Sequence, residues 1–127
     1  MKVYVFGNQD EEKDSVAVRA ARRLEDVEVV LVKSNEDVPF VGEELVVIMD
    51  AVEGIDKVTV FDEGDLEKLV LPPRTSAHDY DLGFQLRYLK KIGKLKRVRI
   101  VGLSMSGEVK IKELAAVLAS LGKEAVS

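Results

Sequence analysis

The feature that most constrains the fold is an unbroken apolar run at residues 45–49, LVVIM. A strand with one face in solvent alternates apolar and polar side chains, whereas this run has no polar position. Such a strand is buried on both faces, as in a parallel sheet with helices on both sides. Asp50 ends the predicted strand. A carboxylate there is expected to be half-buried and to need a partner.

Strand and helix patterns alternate along the rest of the chain. Short apolar runs predict strands, and apolar residues at helical spacing predict helices. The predicted strands are residues 3–6, 27–32, 45–49, 58–61 and 98–103, and the predicted helices are residues 14–24, 78–92 and 108–121, the last two ended by Gly93 and Gly122. This order indicates an α/β fold with a mostly parallel, five-stranded sheet covered on both faces.

The fourth predicted strand follows the third after a short turn around Gly54. A parallel crossover needs a dozen or more residues, so the fourth strand should run antiparallel to the third. The sheet is therefore expected to be mixed.

The chain has 127 residues and no internal repeat, so residues 1–127 are expected to form one domain with its own core.

Composition excludes several classes of function. The net charge is −4, which gives no basic footprint for nucleic acid. The absence of cysteine excludes disulfides, a thiol nucleophile and a thiolate metal site. No apolar run approaches the ~20 residues that span a bilayer, and the N-terminal segment does not resemble a signal peptide. We therefore expect a cytoplasmic protein with no membrane partner; its few side-chain amides are thermophile-like.

Three residues form a pattern that folding alone does not require. Asp14 opens the first helix, Asp50 ends the third strand, and His78, the only histidine, begins the second helix. If they meet at the carboxyl ends of the strands, two carboxylates and an imidazole suit nickel, zinc, iron or manganese. Taken singly, each has a structural explanation: Asp14 as a first-turn acid, Asp50 as a cap, and neutral His78 as a cap or core residue.

The motifs around these residues resemble those of the hydrogenase maturation proteases over most of the chain. That family opens with an apolar strand, Gly-Asn, a short acidic loop, an acidic residue and a helix with Val-Arg, here VFGNQDEEKDSVAVR. An apolar strand ending in Asp-Ala is LVVIMDAV here, and Ser-x-His followed by Leu-Gly is SAHDYDLG. A late strand ending in Val-Gly is RIVGL.

The resemblance implies a three-layer α/β/α fold with an antiparallel fourth strand at an edge of the sheet. It implies an endopeptidase, hence a hydrolase, that removes the C-terminal tail of a nickel–iron hydrogenase large-subunit precursor. The nickel would be carried by that precursor, with another divalent metal as the alternative. The implied site residues are Asp14, Asp50 and His78 as catalytic residues and metal ligands, and Gly7, Asn8 and Ala51 as substrate-binding residues.

Departures from the family pattern leave a second hypothesis open, a non-catalytic homologue that binds metal or precursor. Phe6 stands where the family usually has the first part of Gly-x-Gly-Asn, and Ala17 replaces a common glycine. A Gly-rich stretch between the second and third strands is replaced by KSNEDVPFVGEE. That stretch is associated with substrate handling in the family.

Three other classes of protein fit the sequence less well. In a phosphoacceptor receiver domain Asp50 would be the phosphorylated residue, but the acidic pair and the Lys-Pro of receivers are missing. A dinucleotide-binding domain expects G-x-G-x-x-G after the first strand, where Gly7 stands alone. Ser104 and Ser106, in a predicted loop SMSG, lack the glycine before the serine of a nucleophile elbow.

Overall fold

The computed structural model describes residues 2–6, 16–32, 42–52, 54–66, 82–105 and 109–126. A 3₁₀ turn, Glu63–Asp65, follows the fourth strand. The strands are β1 (Lys2–Phe6), β2 (Glu28–Val32), β3 (Leu45–Val52), β4 (Thr59–Asp62) and β5 (Arg97–Ser104), and the helices are α1 (Val16–Ala21), α2 (Leu82–Lys91) and α3 (Ile111–Val126). Among the described residues, no helix has the length and apolar character needed to cross a bilayer.

The five strands form one sheet in the order β2-β1-β3-β5-β4. The first four in that order are parallel to one another, and β4 runs antiparallel to β5 at the edge. This confirms the mixed sheet and the direction of the fourth strand. Because β5 lies between β3 and β4, the short connection passes over the carboxyl end of β5 and does not form a hairpin. A doubly wound receiver has the order 2-1-3-4-5, so this topology argues against the receiver hypothesis.

Helices cover both faces of the sheet, which gives the three layers that the family resemblance implies. One core cluster joins α1 and α3 to the sheet, and it contains Val47 and Met49 of β3. The other cluster joins α2 to the opposite face, and it contains Val46 and Ile48. Successive residues of β3 therefore enter different cores, which explains why its apolar run has no polar position.

The strand β3 is longer than predicted. It continues through Asp50 and Ala51 to Val52 because it pairs with β5 over its whole length, from Leu45 opposite Arg97 to Val52 opposite Ser104. Asp50 therefore lies inside the strand, with paired residues of β3 before and after it in the sequence. Its side chain has the fixed direction that the pleat imposes.

Gly93 ends α2, as predicted. Its φ of 77° is the left-handed conformation that favours glycine. The N–H of Gly93 donates to the carbonyl oxygen of Lys90, and that of Lys94 donates to the carbonyl oxygen of Leu89, the two bonds of a Schellman motif. The predicted start of this helix at His78 lies outside the described residues, as does the predicted start of α1 at Asp14.

The prediction that Gly122 ends α3 was wrong, because the helix continues to Val126. Glycine in a helix interior costs about 1 kcal/mol relative to alanine. Two ion pairs offset that cost: Glu124 Oε1 in the final turn accepts from Arg97 at 2.7 Å and from Arg99 at 2.6 Å. Both partners lie on β5, so the last turn of α3 is fixed by tertiary contacts.

Gly102 of β5 lies where three side chains converge. A Cβ atom at this position would come within 2.9 Å of Phe61 and of Val52 and within 3.1 Å of Ile55. Phe61 belongs to β4, Val52 to β3, and Ile55 to the connection that crosses the end of β5. The absence of a side chain at Gly102 is therefore what lets this connection pack against the sheet.

We expect Gly102→Ala to lower the free energy of unfolding by about 1–3 kcal/mol through overpacking. Urea denaturation of the two proteins measures this difference. Combining Gly102→Ala with Val52→Ala removes one of the two closest contacts, so the double variant should lose less than the sum of the single losses. If the two losses of unfolding free energy add exactly, the close contact between position 102 and Val52 is not what destabilises Gly102→Ala.

Glu63 follows β4 in the chain, and its side chain bonds to β5 at the edge of the sheet beyond the end of β4. Its Oε2 atom accepts from the backbone N–H of Val98 at 3.0 Å and from the guanidinium of Arg99 at 2.9 Å. Burial of Glu63 raises the pKa of this carboxyl, but the hydrogen bonds from the backbone of Val98 and of Glu63 itself, together with Arg99, lower it below the usual 4.5. Ionised Glu63 therefore stabilises the folded protein above that pH, and this contribution is lost as the pH falls through the folded-state pKa.

We expect Glu63→Gln to lower the free energy of unfolding at neutral pH by about 1 kcal/mol, since the side chain is partly solvated. The difference between the variant and the wild type should shrink as the pH is lowered below 4.5. Urea denaturation at a series of pH values measures it. A difference that stays constant across the acidic range would show that the charge of Glu63 does not stabilise the fold.

Candidate active site

Asp50 is buried near the carboxyl end of β3, with 3% of its surface exposed. The strand alternation places its side chain on the same face as Val46 and Ile48, the face that α2 covers. The backbone N–H of Ala51 donates to Asp50 Oδ1 at 2.9 Å. The sequence predicted a half-buried carboxylate at this point, and the structure shows one that is almost fully enclosed.

The sheet topology makes this position a natural ligand site. In the sheet, β1 and β3 are neighbours. After β1 the chain continues to β2 on one side of this pair, and after β3 it passes β5 to reach β4 on the other side. Connections that diverge from adjacent parallel strands open a crevice at their carboxyl ends, where ligands bind in open α/β sheets. Asp50 lies two residues before Val52, the last residue of β3, and is therefore at the end of the sheet where such a crevice is expected.

Apolar side chains form the wall beside Asp50. In the pairing of β3 with β5, Asp50 lies opposite Gly102. The side chains of Val52, Ile55 and Phe61 crowd the space in front of Gly102. A carboxylate next to such a wall has little solvent to stabilise its charge, so its interactions with other polar or charged groups are strengthened.

Ser104 is a second buried polar residue at the same end of the sheet. In the described part of the chain, the buried residues with polar side chains are Asp50, Ser104 and, through its phenol, Tyr4. Ser104 is 6% exposed. The prediction that placed Ser104 in a loop was wrong, since it is the last residue of β5 and lies opposite Val52. Sequence patterns missed it because the SMSG segment has the composition of a turn, whereas pairing with β3 extends the strand.

The other predicted site residues cannot all be placed beside Asp50. Gly7, Asn8, Asp14 and His78 lie outside the described residues, so the predicted triad stays a prediction. Within the described ranges, no three His, Asp or Glu side chains are grouped so as to hold a metal ion, so a three-ligand site at Asp50 needs residues beyond them.

Ala51 is described, and it lies in β3 with its side chain on the opposite face from Asp50. Its side chain therefore points toward the layer formed by α1 and α3. Its backbone N–H lies beside the carboxylate and donates to it. A role for Ala51 in substrate binding would be carried by its backbone.

Comparison with known proteins shows which fold surrounds this position. No protein-family model matches the sequence, and no curated protein is significantly similar to it. Among solved structures, the hydrogenase maturating endopeptidase HybD from E. coli aligns over 98% of this chain and 94% of its own, with 16% identity and a TM-score of 0.56.

Two further structures align less closely. They are a hydrogenase 2 maturation peptidase from a Thaumarchaeota archaeon (20% identity, 100% of this chain and 99% of that chain, TM-score 0.46) and the NiFe hydrogenase maturation protease HycI from Thermococcus kodakarensis (24% identity, 98% and 90%, TM-score 0.39). The fold assignment rests on the alignment with HybD. The chain therefore has the α/β fold of the hydrogenase maturating endopeptidase HybD.

Proposed function

We propose that this protein is an endopeptidase that recognises nickel in a hydrogenase large-subunit precursor and removes the C-terminal tail of that precursor. The observation that carries the proposal is the carboxylate of Asp50, buried near the carboxyl end of β3, where β1 and β3 are neighbours and the chain leaves them toward opposite sides of the sheet. The shared fold with a hydrogenase maturating endopeptidase supports it, as do the sequence motifs around Asp14 and His78.

In this proposal Asp14, Asp50 and His78 are the residues that meet the nickel carried by the precursor. Two carboxylates and one imidazole suit nickel, and they also suit zinc, iron or manganese. Three protein ligands leave coordination positions for groups of the precursor itself. Gly7, Asn8 and the backbone of Ala51 would contact the precursor chain next to the metal.

The reaction is the hydrolysis of one peptide bond. The oxygen of a water molecule bonds to the scissile carbonyl carbon, the carbon–nitrogen bond breaks, and the released amine takes up a proton. A bound metal supplies Lewis-acid polarisation in such a site. A carboxylate in the position of Asp50 can accept the proton of the attacking water, and its burial strengthens that interaction.

The test is to incubate the purified protein with nickel-loaded precursors and to follow their intact mass. The proposal predicts a single mass loss at the C-terminus, and no loss from the same precursors prepared without nickel. Intact tails across several candidate precursors would remove the peptidase proposal. Tight binding to a precursor without cleavage would favour the non-catalytic homologue, which the departures at Phe6 and Ala17 keep open.

A further inference from the structure

Helix α2 has large apolar side chains on two of its sides. Leu86 and Leu89 are buried in the core between the helix and the sheet. Tyr88 and Ile92 lie on the outer side, with 50% and 44% of their surface exposed. They are four residues apart, and the N–H of Ile92 donates to the carbonyl oxygen of Tyr88, so their side chains are neighbours on the helix surface. Isolated exposed apolar residues are common, so the meaning of this pair depends on what surrounds it.

Positive charge surrounds the exposed pair. Residues 82–107 contain seven of the 19 Lys and Arg residues of the chain and none of its 23 Asp and Glu residues. Three of these cations pair with acids from other parts of the fold: Lys96, Arg97 and Arg99. Lys91 and Lys94 are exposed and form no ion pair with another described residue. Together with Tyr88 and Ile92 they form a surface, here called the α2 surface, with an apolar centre and a positive rim. Lysines at the end of a helix also complement its dipole, but this does not account for the exposed apolar pair beside them.

The α2 surface lies close to the level of Asp50 along the sheet. Lys90 Nζ, in the last turn of α2, donates to the carbonyl oxygen of Glu63 at 2.9 Å, and the side chain of Glu63 accepts from Arg99. From Arg99 to Gly102, which lies opposite Asp50, β5 rises by three residues, about 10 Å. A folded domain of 100 residues has a radius of gyration of about 13 Å, so a protein held at Asp50 can also reach the α2 surface.

We propose that the α2 surface docks the hydrogenase large-subunit precursor through an acidic patch that has an apolar side chain at its centre. The inference rests on the proposed function for the identity of this partner. The apolar side chain of the precursor packs against Tyr88 and Ile92, and the carboxylates around it pair with Lys91 and Lys94. Tyrosine suits the centre of such an interface because its ring offers a large contact area at low conformational cost.

A protein partner fits this surface better than a lipid bilayer or a nucleic acid does. A helix that lies in a bilayer surface inserts its whole apolar face, whereas the main apolar face of α2 is buried against the sheet. A nucleic-acid site needs a basic domain or a long basic stripe, and this chain has a net charge of −4. Charge complementarity therefore favours an acidic protein.

The experiment uses the nickel-free precursor, which the proposed reaction leaves intact, so docking is measured apart from cleavage. Isothermal titration calorimetry gives its dissociation constant for the wild type, Tyr88→Ala, the double variant Lys91→Glu with Lys94→Glu, and Lys112→Glu. Lys112 is an exposed lysine of α3, which covers the other face of the sheet, and it controls for the change of net charge.

We expect Tyr88→Ala and the double variant each to weaken binding by about tenfold, and Lys112→Glu to bind like the wild type. Added salt should weaken binding by the wild type more than binding by the double variant, because it screens the charges that the double variant lacks. With nickel-loaded precursor, the same two α2 variants should raise KM and leave kcat unchanged, as for a loss of uniform binding.

The possible outcomes separate this inference from the function on which it rests. Wild-type affinity in both α2 variants overturns the docking surface and leaves the peptidase proposal standing if the wild type cleaves. Weakened binding in these variants, with no cleavage by the wild type, supports the docking surface and overturns the peptidase proposal. A wild type that binds none of the precursors overturns both.

Two further results would also overturn the docking surface. One is binding of the wild type to vesicles of phosphatidylcholine and phosphatidylserine that the double variant loses while its affinity for the precursor is unchanged. The other applies if the double variant does not fold. Lys91→Gln with Lys94→Gln then removes the charges without reversing them, and wild-type affinity in that folded variant contradicts the inference.

Discussion

Replacing Asp50 with asparagine is expected to lower the rate of tail removal by about 10²–10⁴-fold, the range for loss of a general base. Asparagine has nearly the same shape, and its Oδ1 atom can still accept the N–H of Ala51, which the carboxylate accepts at 2.9 Å. What the substitution removes is the negative charge, together with the ability to take up a proton or to bind a cation. The loss of rate should therefore occur in a folded protein.

The control is Asp56→Asn in the exposed connection between β3 and β4, which removes the same charge outside the site. It should cleave the precursor at the wild-type rate. Denaturation in urea should show that Asp50→Asn still unfolds in one cooperative transition, because asparagine fills nearly the same volume and keeps the hydrogen bond from Ala51. A folded Asp50→Asn that cleaves within about twofold of the wild type would show that the carboxylate has no part in the reaction.

Replacing Arg99 with alanine is expected to cause the largest loss of stability, about 2–3 kcal/mol. The guanidinium donates to Glu63 at 2.9 Å and to Glu124 at 2.6 Å, and only 16% of its side chain is exposed. Removing one partner of a fully buried ion pair costs about 3–5 kcal/mol, and the partial exposure of both acids reduces that figure. Burial alone would lower the pKa of Arg99, but the hydrogen bond and charge of Glu124, with the charges of Glu63 and Asp62, raise it.

Lys96→Ala is the matched control, because it removes a cation from a solvent-exposed pair. Lys96 Nζ lies 3.4 Å from Glu44 Oε2, with 60% and 76% of the two side chains exposed. Pairs of this kind contribute about 0–1 kcal/mol. Urea denaturation should therefore separate the two variants clearly. Equal losses would contradict the view that Arg99 joins the final turn of α3 to the edge of the sheet.

Local sequence patterns predicted the sheet well because its strands coincide with clear apolar runs in the sequence. The apolar run before Asp50 predicts a doubly covered strand, and the short turn at Gly54 predicts the direction of β4. The helix end at Gly122 was predicted wrongly because the ion pairs of Glu124 join residues 25 and 27 positions apart. Local propensity carries no information about such partners.

The candidate site was predictable only where chemistry and local pattern coincide. Asp50 stood out because a carboxylate interrupts an apolar segment. Ser104 did not, since its burial depends on strand pairing with β3. The crowding at Gly102 likewise depends on side chains from Val52, Ile55 and Phe61. These contacts depend on the pairing of β3 and β4 with β5 and on the connection that crosses the end of β5, which sequence periodicity cannot place.

The central claim is that Asp50 and His78 belong to one metal-binding site, and nuclear magnetic resonance tests it directly. The chain has a single histidine, so every imidazole signal belongs to His78. On titration with Zn²⁺, which is diamagnetic, we expect these signals to shift, with an affinity at least about tenfold weaker in Asp50→Asn than in the wild type or in Asp56→Asn. Equal affinities in Asp50→Asn and the wild type would place His78 and Asp50 at different sites and contradict the account.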